Sequence, residues 1–222
     1  MKRLLIVGAG GFGREVLRWA SDVPSTCRDW EIGGFLDSNP AALEGYPCNL
    51  SVLGDPLRFD LAEHDVVTCA IGAPVQRLTV CRELRRRGAA FQAVIHPSAL
   101  VGPDCRFGEG CILCPGVVVT TNVVLGEFVC LNVGTCVGHD VVVGDGCTLS
   151  PHCDLGGHSK LGEGVFLGTH AVVLPSAVVG DYAVIGAGSV VLRKARSRST
   201  VVGVPAREIF KTEGPSSPTK PE

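Results

Sequence analysis

The sequence lacks both an excess of charge and a long apolar run. Its 222 residues carry a formal net charge of −2, from 20 basic and 22 acidic side chains. Without a basic field, neither nucleic acid nor an anionic membrane surface is an expected partner. No apolar run approaches the roughly 18 residues that a membrane-spanning helix needs. The sequence therefore predicts a protein with no membrane span, and its length leaves room for two modest domains.

A clear export signal is also missing. Met1, Lys2 and Arg3 precede an apolar stretch, but Arg14 and Glu15 follow soon after and no small-x-small cleavage site is evident. We therefore interpret the stretch as a first β-strand. Eleven cysteines would suggest disulfides in a small secreted chain, but without an export signal we expect reduced thiols and a cytoplasmic location.

A six-residue repeat fills the second half of the sequence. Every sixth residue from Ile95 to Val191 is apolar, and the residue two before it is small or β-branched. Such a short repeat is typical of a β-solenoid. The repeat positions are Ile95, Val101, Phe107, Leu113, Val119, Leu125, Leu131, Val137, Val143, Leu149, Leu155, Leu161, Leu167, Val173, Val179, Ile185 and Val191.

The repeat predicts short strands whose inward side chains alternate in size. Positions two apart on a strand point the same way, so each repeat residue and the small residue before it face inward. Cys105, Cys111, Cys147 and Cys153 occupy small inward positions, which makes them core residues; this also argues against metal or redox use of the Cys111–Cys114 pair. Three strands per turn give coils of eighteen residues, and the run makes between five and six coils. Glycine often follows the repeat residue, and we expect it to supply backbone angles for a tight corner.

The first 92 residues have a different pattern. A buried strand over residues 2–7 runs into Gly8, Gly10 and Gly13 and then a helix, which is the context of a phosphate-binding glycine loop. A second strand ends at Asp37, and a third closes at Gly72. We predict an α/β domain over 1–92, a solenoid domain over 93–211 with a C-terminal cap, and a disordered, proline-rich tail over 212–222.

One histidine stands out by its position in the repeat. His139 lies just past a predicted corner, and Gly157 is its equivalent one coil later. Imidazole as a base beside a bare backbone N–H is what acyl transfer requires. The alternative, that His139 is an ordinary surface residue, has about equal weight on spacing alone.

Four motifs in order carry a family resemblance. They are the glycine-rich start, Ile95-His96-Pro97-Ser98-Ala99, Gly138-His139-Asp140 and Gly203-Val204-Pro205-Ala206. Together they resemble the sialic-acid O-acetyltransferase and bacillosamine-pathway N-acetyltransferase family of hexapeptide-repeat transferases. The resemblance covers residues 2 to about 210. It implies a Rossmann-like half-domain followed by a left-handed parallel β-helix of triangular cross-section, and an enzyme that acetylates sugars, most often nucleotide-linked amino sugars, from acetyl-CoA.

The resemblance also implies site residues. His139 would be the catalytic base and Asp140 would raise its basicity, while Asn132 would contact the sugar and the Gly157 amide the thioester oxygen. Acetyl-CoA would pass Thr169 and Ala187 in a groove between two solenoids of a homotrimer. Thr148 stands where some members have a histidine that contacts the acetyl group, and the resemblance therefore places it among the acetyl-CoA-binding residues.

The α/β domain has more than one functional interpretation. The resemblance assigns it to the nucleotide of the sugar substrate, with Gly10, Gly11, Phe12, Asp37, Ser38 and Gly72 as binding residues. The glycine fingerprint and Asp37 also fit NAD, and a purely structural turn is a further alternative.

Metal chemistry is the remaining alternative. His152 and His170 are eighteen residues apart and stack in neighbouring coils, as zinc ligands do in solenoid carbonic anhydrases. No third ligand is evident within the subunit, so we expect a solvated pair and no metal. The basic loop from Arg193 to Arg198 is a solvated turn or a contact for the CoA phosphates. N-acetylation of a nucleotide-linked amino sugar is the leading hypothesis; O-acetylation of sialic acid or another sugar, a zinc-dependent enzyme and a non-catalytic scaffold are the alternatives.

Overall fold

The computed structural model describes residues 1–211, and the predicted disordered tail over 212–222 lies outside them. A parallel α/β domain comes first and a parallel β-helix follows, which confirms the predicted fold class. Within residues 1–211, every helix is too short or too polar to cross a membrane.

The α/β domain is a five-stranded parallel sheet with two helices. Its elements are β1 (Lys2–Val7), α1 (Gly11–Asp22), a 3₁₀ turn (Ser25–Cys27), β2 (Trp30–Leu36), β3 (Val52–Gly54), β4 (Asp65–Cys69), α2 (Pro74–Arg86) and β5 (Ala90–Phe91). The strand order is β3-β2-β1-β4-β5, so strands are added first on one side of β1 and then, from β4 onward, on the other side, as in a doubly wound fold.

The β-helix has three flat faces made of two-residue strands. From Val94 to Val191, each of these strands pairs with the strand eighteen residues away, as the repeat predicts, whereas Lys194 and Thr200 in the last coil pair with residues sixteen positions earlier. The first face contains Val94–Ile95, Ile112–Leu113, Cys130–Leu131, Thr148–Leu149, Phe166–Leu167, Val184–Ile185 and Ser199–Val202, and Arg207–Lys211 returns antiparallel to the last of these. The second face contains Leu100–Val101, Val118–Val119, Cys136–Val137, Asp154–Leu155, Val172–Val173 and Val190–Val191. The third face contains Arg106–Phe107, Val124–Leu125, Val142–Val143, Lys160–Leu161, Val178–Val179 and Lys194–Ala195.

Three corners connect these faces. The first corner follows the first face, the second corner follows the second face, and the third corner follows the third face. The second face and the third face have six strands each, so the β-helix makes six coils. This is slightly more than the sequence predicts, because the third face continues past Val191 to the strand Lys194–Ala195.

The repeat residues and their small partners form the core, as predicted. Cys111, Cys147 and Cys153 are fully buried, and burial raises the pKa of the Cys147 thiol to about 12 and that of Cys153 to about 11. These thiols are therefore inert core groups. The first coil is an exception: Ile95 and Val101 remain 38% and 44% exposed, because no earlier coil covers them.

The predicted reason for the corner glycines is wrong. The residues with positive φ lie three positions after the repeat residue, as at Gly134 and Asp140, whereas the glycine directly after it has no such angle. That glycine is required by close approach instead. A Cβ at Gly102 would lie 1.8 Å from the carbonyl oxygen of Thr120, and one at Gly144 would lie 2.6 Å from the backbone of Gly162. Neighbouring coils therefore contact each other through bare backbone at these corners.

A buried arginine joins the two domains. Arg77 in α2 is fully buried and donates to the Thr148 hydroxyl at 2.8 Å, and that hydroxyl donates to the carbonyl of Gly72 at 2.8 Å. Burying a cation is costly unless its donors are satisfied. The other acceptors of the guanidinium are the carbonyl oxygens of Ile71, Gly72, Phe128, Gly146 and Cys147.

An acidic column on the third corner faces the same helix. Arg85 contacts Glu127 and Glu109, and Arg82 contacts Glu163 at 2.6 Å. The side chain of Arg85 therefore reaches from the last turn of α2 to the solenoid. The column comprises five carboxylates at intervals of eighteen residues: Glu109, Glu127, Asp145, Glu163 and Asp181.

Candidate active site

The second corner carries a hydrogen-bonded His–Asp pair. Strand Cys136–Val137 ends at Gly138, which leaves the side chain of His139 56% exposed. His139 Nδ1 lies 2.8 Å from Oδ2 of Asp140. That hydrogen bond holds the pKa of the Asp140 carboxyl below its usual range, with smaller contributions from the charge of His158 and from Asn122. An ionised carboxylate can only accept, so Nδ1 carries the proton and Nε2 has a free lone pair.

Gly157 lies directly over that free nitrogen. A Cβ at Gly157 would stand 2.5 Å from His139 Nε2 and 2.6 Å from Cε1. The eighteen-residue register predicts this neighbour, and the strand pairing Val137 with Leu155 produces it. A side chain here would collide with the imidazole ring, whereas glycine, which is itself buried in the subunit, lets the ring lie against its backbone.

His158 is a neighbour of the pair that the sequence interpretation missed. Its Nε2 lies 3.7 Å from Oδ2 of Asp140, and its ring meets the His139 ring edge to face at a centroid distance of 4.9 Å. The signal was present, because His158 follows Asp140 by eighteen residues and therefore stacks above it.

Four of the seven predicted substrate-binding residues meet elsewhere, in a cavity of about 280 Å³ between α1 and the first face. Gly11, Phe12, Gly72 and Asn132 line it. Gly10 caps α1, and a Cβ at either Gly10 or Gly11 would meet nothing within 4 Å. The first N–H groups of the helix are therefore open to an anion. Residues lining the cavity that the sequence did not suggest are Glu15, Cys130, Ser150 and Phe166.

Thr148 also lines this cavity, and this changes its interpretation. It stands on the first face, so a single subunit does not bring it to His139 on the second corner. Its hydroxyl already accepts from Arg77 and donates to the carbonyl of Gly72. The structure therefore gives Thr148 a part in joining the domains, and the expected contact with acetyl-CoA at that hydroxyl is not supported within the subunit.

A smaller cavity of about 180 Å³ opens at the carboxyl ends of β1 and β2. Gly8, Asp37 and Ser38 line it. The Asp37 carboxylate accepts the N–H groups of Ala9 and Asn39, both at 2.8 Å, so it also fixes the glycine loop. Ligands of open α/β sheets bind at such strand ends. Gly13 is required by packing, because a Cβ there would lie 1.9 Å from the carbonyl oxygen of Gly8.

The residues expected to bind acetyl-CoA fall on two corners. Gly157 shares the second corner with His139, whereas Thr169 and Ala187 lie on the first corner, eighteen residues apart. Asn132 also begins the first corner. The predicted residues therefore form two groups on different sides of one subunit.

The predicted pair of stacked histidines is present but poorly arranged for a metal. The rings of His152 and His170 are nearly parallel, at 12°, with centroids 5.1 Å apart. Ring nitrogens donate in the plane of the ring, so two parallel rings do not converge on one ion.

Several solved structures are similar to nearly the whole chain. PerB from Caulobacter crescentus, solved with CoA and GDP-perosamine, is 30% identical with a TM-score of 0.84, over 95% of this chain and 98% of that one. The acetyltransferase domain of PglB from Neisseria gonorrhoeae is 29% identical with a TM-score of 0.84, over 94% of this chain and 100% of that one. WeeI from Acinetobacter baumannii is 29% identical with a TM-score of 0.81, over 94% of this chain and 100% of that one.

Two family models match parts of the sequence. The PglD N-terminal domain matches residues 3–84, and the bacterial transferase hexapeptide model, of six repeats, matches residues 158–193. No curated protein matches the sequence. Because the similarity to PerB spans both domains, the chain belongs to the hexapeptide-repeat sugar N-acetyltransferases, a family of acyltransferases with a PglD-type N-terminal domain.

Proposed function

We propose that the protein is an acetyl-CoA-dependent N-acetyltransferase that acts on the amino group of a nucleotide-linked amino sugar. The observation that carries this proposal is the His139–Asp140 pair with Gly157 over its free nitrogen. The ligands of similar proteins support the substrates: PerB was solved with CoA and GDP-perosamine, and the PglB domain with acetyl coenzyme A.

The reaction needs one base and one oxyanion donor. The sugar amine attacks the thioester carbonyl carbon, and His139 Nε2 takes a proton from the attacking nitrogen. The N–H of Gly157 is the proposed donor to the tetrahedral oxyanion. The C–S bond then breaks, CoA leaves as the thiolate and takes up the proton, and the amide remains on the sugar. Asp140 keeps Nδ1 protonated throughout, so the accepting nitrogen is always Nε2.

We also propose that three copies assemble and that each active site lies between two of them. The separation of His139 from Asn132, Thr169 and Ala187 within one subunit supports this arrangement. Exposed apolar side chains on the outward surfaces of the second and third faces support it too, because such patches mark interfaces. They include Leu100 at 65% exposure, Val124 at 40%, Val142 at 39% and Val178 at 42%.

The α/β domain is proposed to hold the nucleotide and to place the sugar in the cavity at Asn132. The open helix start at Gly10 and Gly11 suits the diphosphate. A cytoplasmic location is proposed as well, supported by eleven cysteines that are all free.

An acceptor panel with acetyl-CoA tests the proposal. We expect nucleotide-linked amino sugars to be acetylated faster than matched sugars with a hydroxyl in place of the amine. His139→Ala should lose at least about 10²-fold in kcat while the nucleotide sugar still binds. His64→Ala, an exposed histidine in the α/β domain, is the matched control and should keep full activity. Full turnover in His139→Ala would contradict the assignment of the base, and faster hydroxyl acceptors would favour O-acetylation.

A further inference from the structure

Three metal-ligating side chains converge at the second corner. His139, Asp140 and His158 each offer one donor atom, and these atoms lie within 4.8 Å of one another. Asp140 and His158 stack in adjacent coils, and both have positive φ, +59° and +61°. The backbone N–H of His158 donates to the carbonyl of His139 at 2.9 Å, which holds the two coils in this register.

The donors suit a transition-metal ion. Two imidazoles and one carboxylate are a common protein ligand set for zinc and similar divalent ions. With bonds of about 2.0–2.1 Å, two ligands of a tetrahedral ion stand about 3.3 Å apart. Asp140 Oδ2 lies 2.8 Å from His139 Nδ1, which is shorter than that value. It lies 3.7 Å from His158 Nε2, which is longer. The three donor atoms lie within 4.8 Å of one another and their side chains are 38–61% exposed, so binding requires the two imidazoles to turn toward the ion.

Binding there would remove the catalytic lone pair. A metal ion on Nδ1 of a neutral His139 requires that the ring proton move to Nε2. No proton is gained or lost, but Nε2 then becomes a donor and can no longer take a proton from an amine. The ion also separates His139 from the carboxylate that orients it. Occupancy and catalysis are therefore mutually exclusive.

We propose that His139 Nδ1, Asp140 and His158 form an inhibitory site for zinc or another divalent transition-metal ion. The inhibitory part of this inference rests on the proposed acetyltransferase function, whereas the binding part does not. His158 has no place in the proposed reaction, so the metal site and the catalytic machinery can be separated by substitution.

Calorimetric titration of metal-free protein with zinc chloride tests the site without any activity. We expect one ion per subunit with micromolar affinity in the unaltered protein and in His170→Ala. His158→Ala should weaken zinc binding by at least about tenfold, in line with the loss of one of three ligands. His170→Ala is the matched control, because it removes an exposed histidine of the same backbone conformation from the first corner. Equal binding by His158→Ala, or loss of binding in His170→Ala, would overturn the site.

Turnover measurements test the inhibition separately. Micromolar zinc should inhibit the unaltered enzyme reversibly, and a chelator should restore its rate. His158→Ala should lose sensitivity to zinc, measured as the ratio of its own rates with and without the ion. If zinc binds at the predicted stoichiometry but leaves turnover unchanged, the inhibitory role is refuted. If no acceptor is acetylated at all, the proposed function fails, and the calorimetric result still decides the site.

Discussion

Gly157→Ala should disable the base without unfolding the protein. The added Cβ would stand 2.5 Å from His139 Nε2, whereas ordinary contacts begin at 3.4 Å, so the ring must move by about 0.9 Å (3.4 − 2.5). A misplacement of about 1 Å in an active site can cost about 10²-fold in rate. We therefore expect kcat to fall by about two orders of magnitude. The substitution keeps the N–H of residue 157, so the loss would come from the displaced imidazole.

The stability of this variant should change little. The His139 side chain is 56% exposed and can move into solvent, and Gly157 does not have a positive φ that would strain alanine. Gly144→Ala is the matched control on the third corner, where the Cβ would meet backbone atoms of Gly162 at 2.6 Å. Backbone cannot move aside, so Gly144→Ala should lower the melting temperature by several degrees.

Steady-state kinetics and thermal unfolding of both variants distinguish a displaced imidazole from a destabilised fold. The expected result is lost turnover with native stability for Gly157→Ala, and lost stability for Gly144→Ala. Wild-type kcat in Gly157→Ala would refute the placement of the imidazole under residue 157. Equal loss of melting temperature in both variants would show that Gly157 is needed for the fold instead.

Four further results are expected. Arg77→Met should lower the free energy of unfolding by about 3 kcal/mol or more, because several buried acceptors lose their donor; a change below 1 kcal/mol in denaturant titration would contradict this. Val142→Glu should reduce the molar mass measured by light scattering, since it puts a charge on the proposed subunit interface, and an unchanged mass would contradict that interface. Arg3 holds the pKa of the Asp65 carboxyl below its ordinary value. The stability that the Asp65 carboxylate contributes is therefore present above the unfolded pKa of about 3.9 and is lost as pH falls through the folded pKa. Asp65→Asn should make the melting temperature depend less on pH between pH 2 and 6, which thermal melting over that range would measure. Dialysis against a chelator should leave kcat unchanged, because no step of the proposed reaction uses a metal, and a loss that zinc restores would contradict it.

The eighteen-residue repeat predicts every contact that depends only on coil register. The neighbours Gly157 and His139 follow from counting, and so does the burial of Cys147 and Cys153. The position of His158 beside Asp140 follows from the same counting, because the two residues are eighteen apart. Periodicity is a strong guide here because side chains in a stacked coil have fixed neighbours.

Contacts between the domains were not predictable in this way. Arg77 meets the carbonyl of Phe128 across 51 residues of sequence, and no repeat connects α2 to the solenoid. Thr148 is held by the same arginine, and its hydroxyl donates to the carbonyl of Gly72, a contact that the repeat does not indicate. The sequence shows the corner glycines but not the reason for them. They are required by the close approach of backbone in neighbouring coils, which depends on packing that the sequence does not display.

The acidic column on the third corner affects the position at which α2 packs along the solenoid axis. Its carboxylates recur once per coil, at the strand spacing of about 4.8 Å, so sliding the helix along by one coil presents Arg82 and Arg85 with much the same charges. Electrostatic attraction to this column therefore has much the same strength when α2 is shifted by one coil. Arg77 distinguishes the coils through the Thr148 hydroxyl, because the paired positions one coil away are Cys130 and Phe166, which have no hydroxyl. Electrostatic attraction therefore places α2 along the third corner, and the buried guanidinium of Arg77 determines the coil against which the helix packs.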